Sequence, residues 1–440
     1  MAFRKIGLGN VPFSYFNKRN LVFADKTRYV QKLEELGSSA VMFLRPRRFG
    51  KTLFTDILQS YYDRSLAAGF DANFSGTWIN DHRTPLASSY YCLRFDFSLV
   101  PPLLDRISQG FIGAVIAGLT DFTVSYPDMG LPPERLNPDL YDSPSSLLLA
   151  FMCNFMLHAG PDARIFLIID EYDYPASHVL SSEGKTSREQ AFSAALQERI
   201  VKSFYACIKS FTGDSAEQPI AGIFITGVSA VSLDSVTSGF NIATDISSDA
   251  EFNAMAGFTH DELSKVIDGT VDFSELNGLT KEKLLQVMES RCGGYAFSFQ
   301  ACERIFNPDM CLSFLKDLTS AKAMPESLLT ESAGADPVRL EAILRLAAPD
   351  AREEITGRIQ KREEITADPP VALSISQRGF LNYSQAVSLL MYHGYLTIAP
   401  QNERGSNKVM YRCPNEACYQ VFNRYAESRS GRKEIRRTDL

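Results

Sequence analysis

Gly50, Lys51 and Thr52 stand in succession between a short apolar run, Ala40 to Leu44, and a segment in which Leu53, Phe54, Ile57, Leu58 and Tyr61 recur at helical spacing. A strand that passes directly into a helix points the helix's unpaired backbone N–H groups and positive dipole end at one spot, where a triphosphate can be cradled. The loop reads Arg45-Pro46-Arg47-Arg48-Phe49-Gly50-Lys51-Thr52. In it Lys51 is placed to reach the β- and γ-phosphates and the Thr52 hydroxyl to ligate Mg²⁺. Arg45 stands where the usual phosphate loop has a first glycine for its tight turn. Arg47 and Arg48 either add charge to the phosphate site or are simply solvated. The alternative for the whole segment is a plain basic strand-to-helix turn.

A second constellation strengthens the first. Ile165 to Ile169 is an apolar run that ends in Asp170 and Glu171, the arrangement in which Asp holds Mg²⁺ through water and Glu polarises the attacking water. Either carboxylate could instead cap the following helix. Asp173, close behind, is placed to brace the site. The run Ile220 to Ile225 ends at Thr226-Gly227-Val228-Ser229, where the Thr226 hydroxyl is a candidate sensor of the γ-phosphate. Tyr91 to Phe97 is the candidate extra strand between the phosphate loop and the acidic strand, which gives the catalytic-glutamate subclass of nucleoside triphosphatases. Gly184-Lys185-Thr186 repeats the short spelling but follows a polar stretch rather than a buried strand, so it is set aside as a chance match.

These residues need a scaffold. Strand-like runs over Ala40 to Leu44, Tyr91 to Phe97, Arg164 to Ile169 and Ile220 to Thr226 alternate with helical patterns such as Phe192, Leu196, Ile200, Phe204 and Ile208, the signature of an α/β fold with a largely parallel sheet. From about residue 260 the pattern turns helical, and Glu326 to Pro370 reads as a peripheral helical region or connector. Then come a helix from Asn382 to Tyr392, a strand from Tyr395 to Ile398, a polar turn from Gln401 to Asn407, a strand from Lys408 to Arg412, and a Pro414-Asn415 cap leading a helix through Phe422. Helix, hairpin and helix suggest a winged-helix-like module, whose apolar first helix points to packing more than to DNA binding. The expected organisation is a P-loop core over 1–260, a helical region over 261–370, the winged-helix-like module over 371–427 and a basic tail over 428–440.

Composition excludes several classes. With 440 residues, 45% hydrophobic and 22% charged, the chain is neither fibrous nor disordered and is long enough for two or three packed domains. Its longest apolar runs fall far short of the roughly 20 residues that span a bilayer, and its N-terminus has no apolar signal region, so a cytoplasmic protein is expected. A net charge of −7 disfavours bulk electrostatic binding to nucleic acid, although Arg429, Arg432, Lys433, Arg436 and Arg437 cluster in a tail read as solvated and frayed. Eight cysteines occur as singles, mostly in apolar segments, and no zinc cluster is expected.

The whole set resembles the AAA-ATPase-like family, relatives of the STAND-type ATPases that are often fused to a C-terminal PD-(D/E)XK nuclease-like domain. The resemblance covers nearly the whole chain and is carried by Phe23-Ala24-Asp25-Lys26-Thr27, by the Arg45 to Thr52 loop, whose spelling looks like the family's own version, and by Phe95-Asp96-Phe97-Ser98. It continues through Ile169-Asp170-Glu171-Tyr172-Asp173, Phe224 to Ser229, Ser238-Gly239-Phe240-Asn241 and Gly293-Gly294-Tyr295-Ala296-Phe297-Ser298. Two positions depart from the pattern: Ala230 replaces an arginine, and Ala296 replaces the proline of the Gly-Gly-x-Pro motif of STAND-type relatives. No nuclease-like segment is expected after the winged-helix-like module. The resemblance implies ATP and Mg²⁺ as cofactors and a slow ATPase serving as a switch, with nucleotide between the core and the helical C-terminal half. A nucleotide-retaining interaction module without turnover is the rival reading, and a nucleic-acid-binding regulator a third. An unnamed protein partner fits the first two.

Overall fold

The computed structural model describes residues 3–100, 107–174, 187–215, 217–230, 242–276, 278–325, 336–371, 379–400 and 407–438. The apolar runs form strands β1 (Ala40–Leu44), β2 (Tyr91–Asp96), β3 (Ile165–Asp170) and β4 (Ile220–Gly227), which join the two-residue β5 (Thr244–Asp245) in one parallel sheet ordered β2-β3-β4-β1-β5. The order corrects one expectation. Tyr91–Phe97 lies between the loop and the acidic strand in sequence, but β2 is an edge strand beside β3, and β4 separates β1 from β3. The reason is visible in burial: β1 and β3 are apolar on both faces, as interior strands must be, whereas β2 carries half-exposed Tyr91, Arg94 and Asp96. Phe97 begins a short 3-10 turn.

Side-chain alternation along the strands divides the core in two. Val41, Phe43, Cys92, Ile168 and Phe224 face α1 (Lys51–Tyr62). Met42, Leu93, Phe95, Leu167, Ile169, Ile223 and Ile225 face the layer of α2 (Ile107–Ser125), α3 (Pro144–His158) and α4 (Ser187–Ser210). The backbone of α2 sits directly on β2, since a Cβ on Gly118 would lie 2.3 Å from the Arg94 carbonyl oxygen and 2.7 Å from the Phe95 ring.

In the second half, α5 (His260–Thr270), opened by a Thr259/Glu262 capping box, packs with α6 (Lys281–Cys292) and α7 (Pro308–Ala321) around Leu263, Ile267, Leu284, Met288 and Leu315. There follow α8 (Pro337–Leu346), α9 (Pro349–Gln360), β6 (Ile365–Ala367), α10 (Tyr383–Tyr392), β7 (Thr397–Ile398), β8 (Val409–Arg412) and α11 (Glu416–Thr438). The helix, hairpin and helix expected near the C-terminus are present, with β6 added to give an antiparallel sheet ordered β6-β8-β7. Two expectations change. The described part of the 326–370 stretch, from 336 on, is not peripheral: Leu340, Ile343, Leu344, Ile355 and Ile359 are buried in the same core as α1. The last helix does not stop at Phe422, because its charged continuation is rich in good helix formers and remains helical to Thr438. The second Gly-Lys-Thr at 184–186, the Ser238 to Asn241 motif and the turn over 401–406 lie outside the described residues. No helix among the described residues is long and apolar enough to cross a membrane.

Gly118→Ala should destabilise the protein by about 1–3 kcal/mol, because the new methyl group meets backbone that cannot move aside. Gly113→Ala on the same helix, with nothing within 4 Å of the added Cβ, should be neutral or slightly stabilising. Urea unfolding of the pair checks this, and equal midpoints would contradict the close seating of α2.

Candidate functional site

The turn out of β1 is held from outside. The Leu44 N–H donates to Ser247 Oγ at 2.8 Å and the Arg45 N–H to the Gly227 carbonyl at 3.2 Å. Arg48 (φ 65°) and Gly50 (φ 98°) take left-handed backbone, which at Gly50 suits the residue that leads into α1. Among the residues expected to contact nucleotide, Arg45 is corrected. Its side chain is turned into the core, where Nη1 donates to the carbonyls of Leu44 (2.8 Å) and Ser247 (2.7 Å) and Nη2 to those of Phe252 (3.1 Å) and Asn253 (3.4 Å). The guanidinium also lies 4.3 Å from the centre of the Phe43 ring and 4.4 Å from that of Phe297. Burial lowers its pKa to about 9, which leaves it charged at neutral pH. Arg45 thus shapes the loop and does not face a phosphate.

Pro46 and Phe49 are likewise packing residues. A Cβ on Gly394, just after α10, would lie 3.0 Å from Pro46 Cβ, and Phe49 sets its edge against Tyr295 (5.0 Å) and Phe297 (5.5 Å). Arg48 places Nη1 3.1 Å from both carboxylate oxygens of Asp309 in the first turn of α7. Arg47 lies 6.0 Å from the Tyr174 ring, with its Nε buried and without an acceptor.

The phosphate-binding candidates do converge. Lys51 Nζ, buried at the start of α1, is 3.3 Å from the Pro46 carbonyl and 3.7 Å from Glu171 Oε1 across the sheet. Asp170 ends β3 with Oδ1 accepting from the Glu171 N–H (3.0 Å) and Oδ2 3.3 Å from Arg94 Nη2. Burial raises the Asp170 carboxyl above its ordinary pKa, and Arg94 opposes that shift. Thr52 and Asp170 offer hard oxygen donors on two neighbouring elements. That set fits Mg²⁺, which takes one or two protein oxygens and completes its shell with water and phosphate oxygens. Asp173 braces the site as expected: its carboxylate accepts from the backbone N–H groups of Val228 (3.0 Å) and Ser229 (2.9 Å) and from Ser229 Oγ (2.8 Å).

Thr226 is the second correction. Its hydroxyl is buried and donates to the Phe43 carbonyl at 2.8 Å, stitching β4 to β1 at the position where the two residues are register partners. Sequence reasoning missed three residues near the loop. Arg94 is one; Arg339 in the first turn of α8 and His393 after α10 are the others. Burial first, then the cations Arg339, Arg47 and Lys51, holds the His393 imidazole well below its usual range. Burial and Arg47 lower Arg339. The signal available for Arg94 was a cation in the middle of a strand whose neighbours on either side, Leu93 and Phe95, are apolar.

The family described as Predicted AAA-ATPase matches residues 6–237. A protein of Azotobacter chroococcum mcd 1, described as an uncharacterized protein in the vnfD 5' region, is 27% identical over 327 residues, 72% of this chain and 53% of its own length. The chain therefore spans about half of that relative. The Walker-type ATPase PABY2304 of Pyrococcus abyssi aligns over 91% of this chain and 96% of its own, with 12% identity and a TM-score of 0.45.

Arg45→Met should lower stability by about 1–3 kcal/mol, because it leaves the buried carbonyls of Leu44, Ser247, Phe252 and Asn253 without their donor. Arg45→Gly, which restores the usual loop spelling, should not recover it, and Arg45→Lys should recover little, since a point charge does not reproduce the planar fork. Thermal unfolding measures all three. An Arg45→Gly protein as stable as the parent would show that the guanidinium is dispensable.

Proposed function

The chain belongs to the predicted AAA-ATPase family, and on that premise we propose that it binds ATP with Mg²⁺ at the Arg45 to Thr52 loop and hydrolyses it slowly, as a switch. The observation that carries this reading is the convergence of Lys51 with Glu171 and Asp170, which arrive from two strands separated by β4. Lys51 and the N–H groups opening α1 bind the phosphates. The Thr52 hydroxyl and Asp170 are the residues that would hold Mg²⁺, which when bound neutralises charge on the phosphate oxygens. Glu171, on the same side as the Lys51 ammonium, orients the attacking water and accepts its proton.

The switch reading is supported by what touches the loop: Gly394 against Pro46, Tyr295 and Phe297 against Phe49, and Asp309 on Arg48, all from the C-terminal half. A change in loop shape on binding would be felt by that half first. The winged-helix-like elements suit packing better than DNA reading, because Ala386, Val387, Leu389, Leu390 and Met391 of α10 are all buried, and the output is more naturally a protein partner. Eight free cysteines suit the reducing cytoplasm. Two observations favour nucleotide retention without turnover: the Thr226 hydroxyl is bound to β1, and Ala230 offers no polar group in place of the family's arginine.

Nucleotide titration and phosphate release separate the two readings. Lys51→Ala should abolish binding, through loss of a charge-assisted contact of about 1.5–3 kcal/mol and of the loop's organisation. Glu171→Gln should bind like the parent and turn over about 100-fold or more slowly, whereas Asp170→Asn should weaken the Mg²⁺-dependent part of binding. Parental affinity in Lys51→Ala would refute the site. Equal, near-zero release by the parent and Glu171→Gln would favour the retention module.

A further inference from the structure

Arg94 lies on the face of β2 that carries Cys92 and is turned toward α1, in register beside Ile168 and one pleat from the Asp96–Asp170 pair. A cation placed between a sheet and a helix needs partners on both sides. It has them: Nη1 is 2.5 Å from Asp56 Oδ1 and 3.5 Å from Gln59 Oε1 on α1, and Nη2 is 3.3 Å from Asp170 Oδ2 at the end of β3. Asp56 lies one helical turn beyond Thr52, on the same side of α1. The two oxygens read as metal ligands, the Thr52 hydroxyl on α1 and the Asp170 carboxylate on β3, are therefore joined by a side-chain path that runs Asp56, Arg94, Asp170.

We propose that Arg94 is the positioning residue of the metal site: its planar guanidinium, gripped by Asp56, fixes the Asp170 carboxylate at a set distance from Thr52, so that Mg²⁺ enters a pair of oxygens already in place. The inference rests on the reading of Thr52 and Asp170 as Mg²⁺ ligands. Arg94 touches the ligand and not the phosphate, so it acts on metal binding and leaves the contacts of Lys51 with nucleotide unchanged. Asp56 takes the shorter bond, so the guanidinium keeps its place when Asp170 turns toward a metal ion. Lysine at this position carries the charge without the two-sided fork and replaces it only in part.

The test is binding of a fluorescent ATP analogue, titrated with Mg²⁺ and repeated in EDTA. Arg94→Gln should raise the Mg²⁺ midpoint about 10- to 100-fold, the usual effect of losing a partner that orients a metal ligand, and leave affinity in EDTA within about twofold. Arg94→Lys should lie between the parent and Arg94→Gln. Asp56→Asn, a milder change at a partly exposed position, should move the midpoint in the same direction, and the double variant should shift it less than the sum of the singles. A purely structural arginine would lower the melting temperature and shift both titrations together. A folded Arg94→Gln or Asp56→Asn protein with the parental Mg²⁺ midpoint overturns the proposal. Asp170→Asn separates the failures. If it moves the midpoint while Arg94→Gln does not, the positioning role alone falls; if it does not move it either, the metal reading of Asp170 falls.

Discussion

Everything at the loop depends on the enclosure of the Arg45 guanidinium. A buried cation without acceptors would be far too costly to keep, so carbonyl groups from Leu44, Ser247, Phe252 and Asn253 must gather around it. Asn253 in turn accepts from the Phe297 N–H at 3.0 Å and donates to the Glu303 carbonyl at 3.2 Å. The exit of β1 is thus fixed by residues beyond the 6–237 stretch that the family comparison matches. This also explains how the loop manages without its usual first glycine. Backbone freedom at that position is unnecessary when the turn is clamped through a side chain, and the left-handed residues the path requires are moved to Arg48 and Gly50.

How much of this was legible depended on range. β1, β3 and β4 are buried on both faces, and such strands show as unbroken apolar runs; the loop and the Asp170-Glu171 pair could be read because each sits at the end of one of them. Roles set by a neighbouring strand could not be read, because sheet order is not written in a single run of residues. The Thr226 hydroxyl is occupied by the Phe43 carbonyl that β1 brings beside it, and Arg94 gains its partners only where β3 and α1 meet on either side of β2. Short elements escaped for another reason: three residues, as in β6, carry too little periodicity to separate a strand from a connector.

The change from alternating strands to a helical pattern near residue 260 is real in sequence but is not a boundary in packing. Phe49 from the loop shares one core with Tyr295, Phe297, Leu340, Leu390 and Phe422. Magnitudes show which contacts matter there. The half-exposed Arg48–Asp309 pair contributes at most about 1 kcal/mol. The two edge-on ring contacts of buried Phe49 each add about 0.5–1.5 kcal/mol beyond the area they bury. The C-terminal half is attached to the loop chiefly by apolar surface, which weakens little with salt.

Glu171 holds a backbone angle of φ 51°, a conformation that an L-residue other than glycine, asparagine or aspartate adopts at a disadvantage of about 1–2 kcal/mol. Tyr172, whose N–H donates to the Thr226 carbonyl at 3.0 Å, and Asp173, locked onto Val228 and Ser229, hold the turn in that shape from the far side. Mutational drift at this position therefore has a preferred direction. Replacement by glycine relaxes the strain and makes the fold more robust, while it removes the carboxylate. Stability and chemistry oppose each other at this turn, since the glycine that relieves the backbone also takes away the carboxylate beside Lys51.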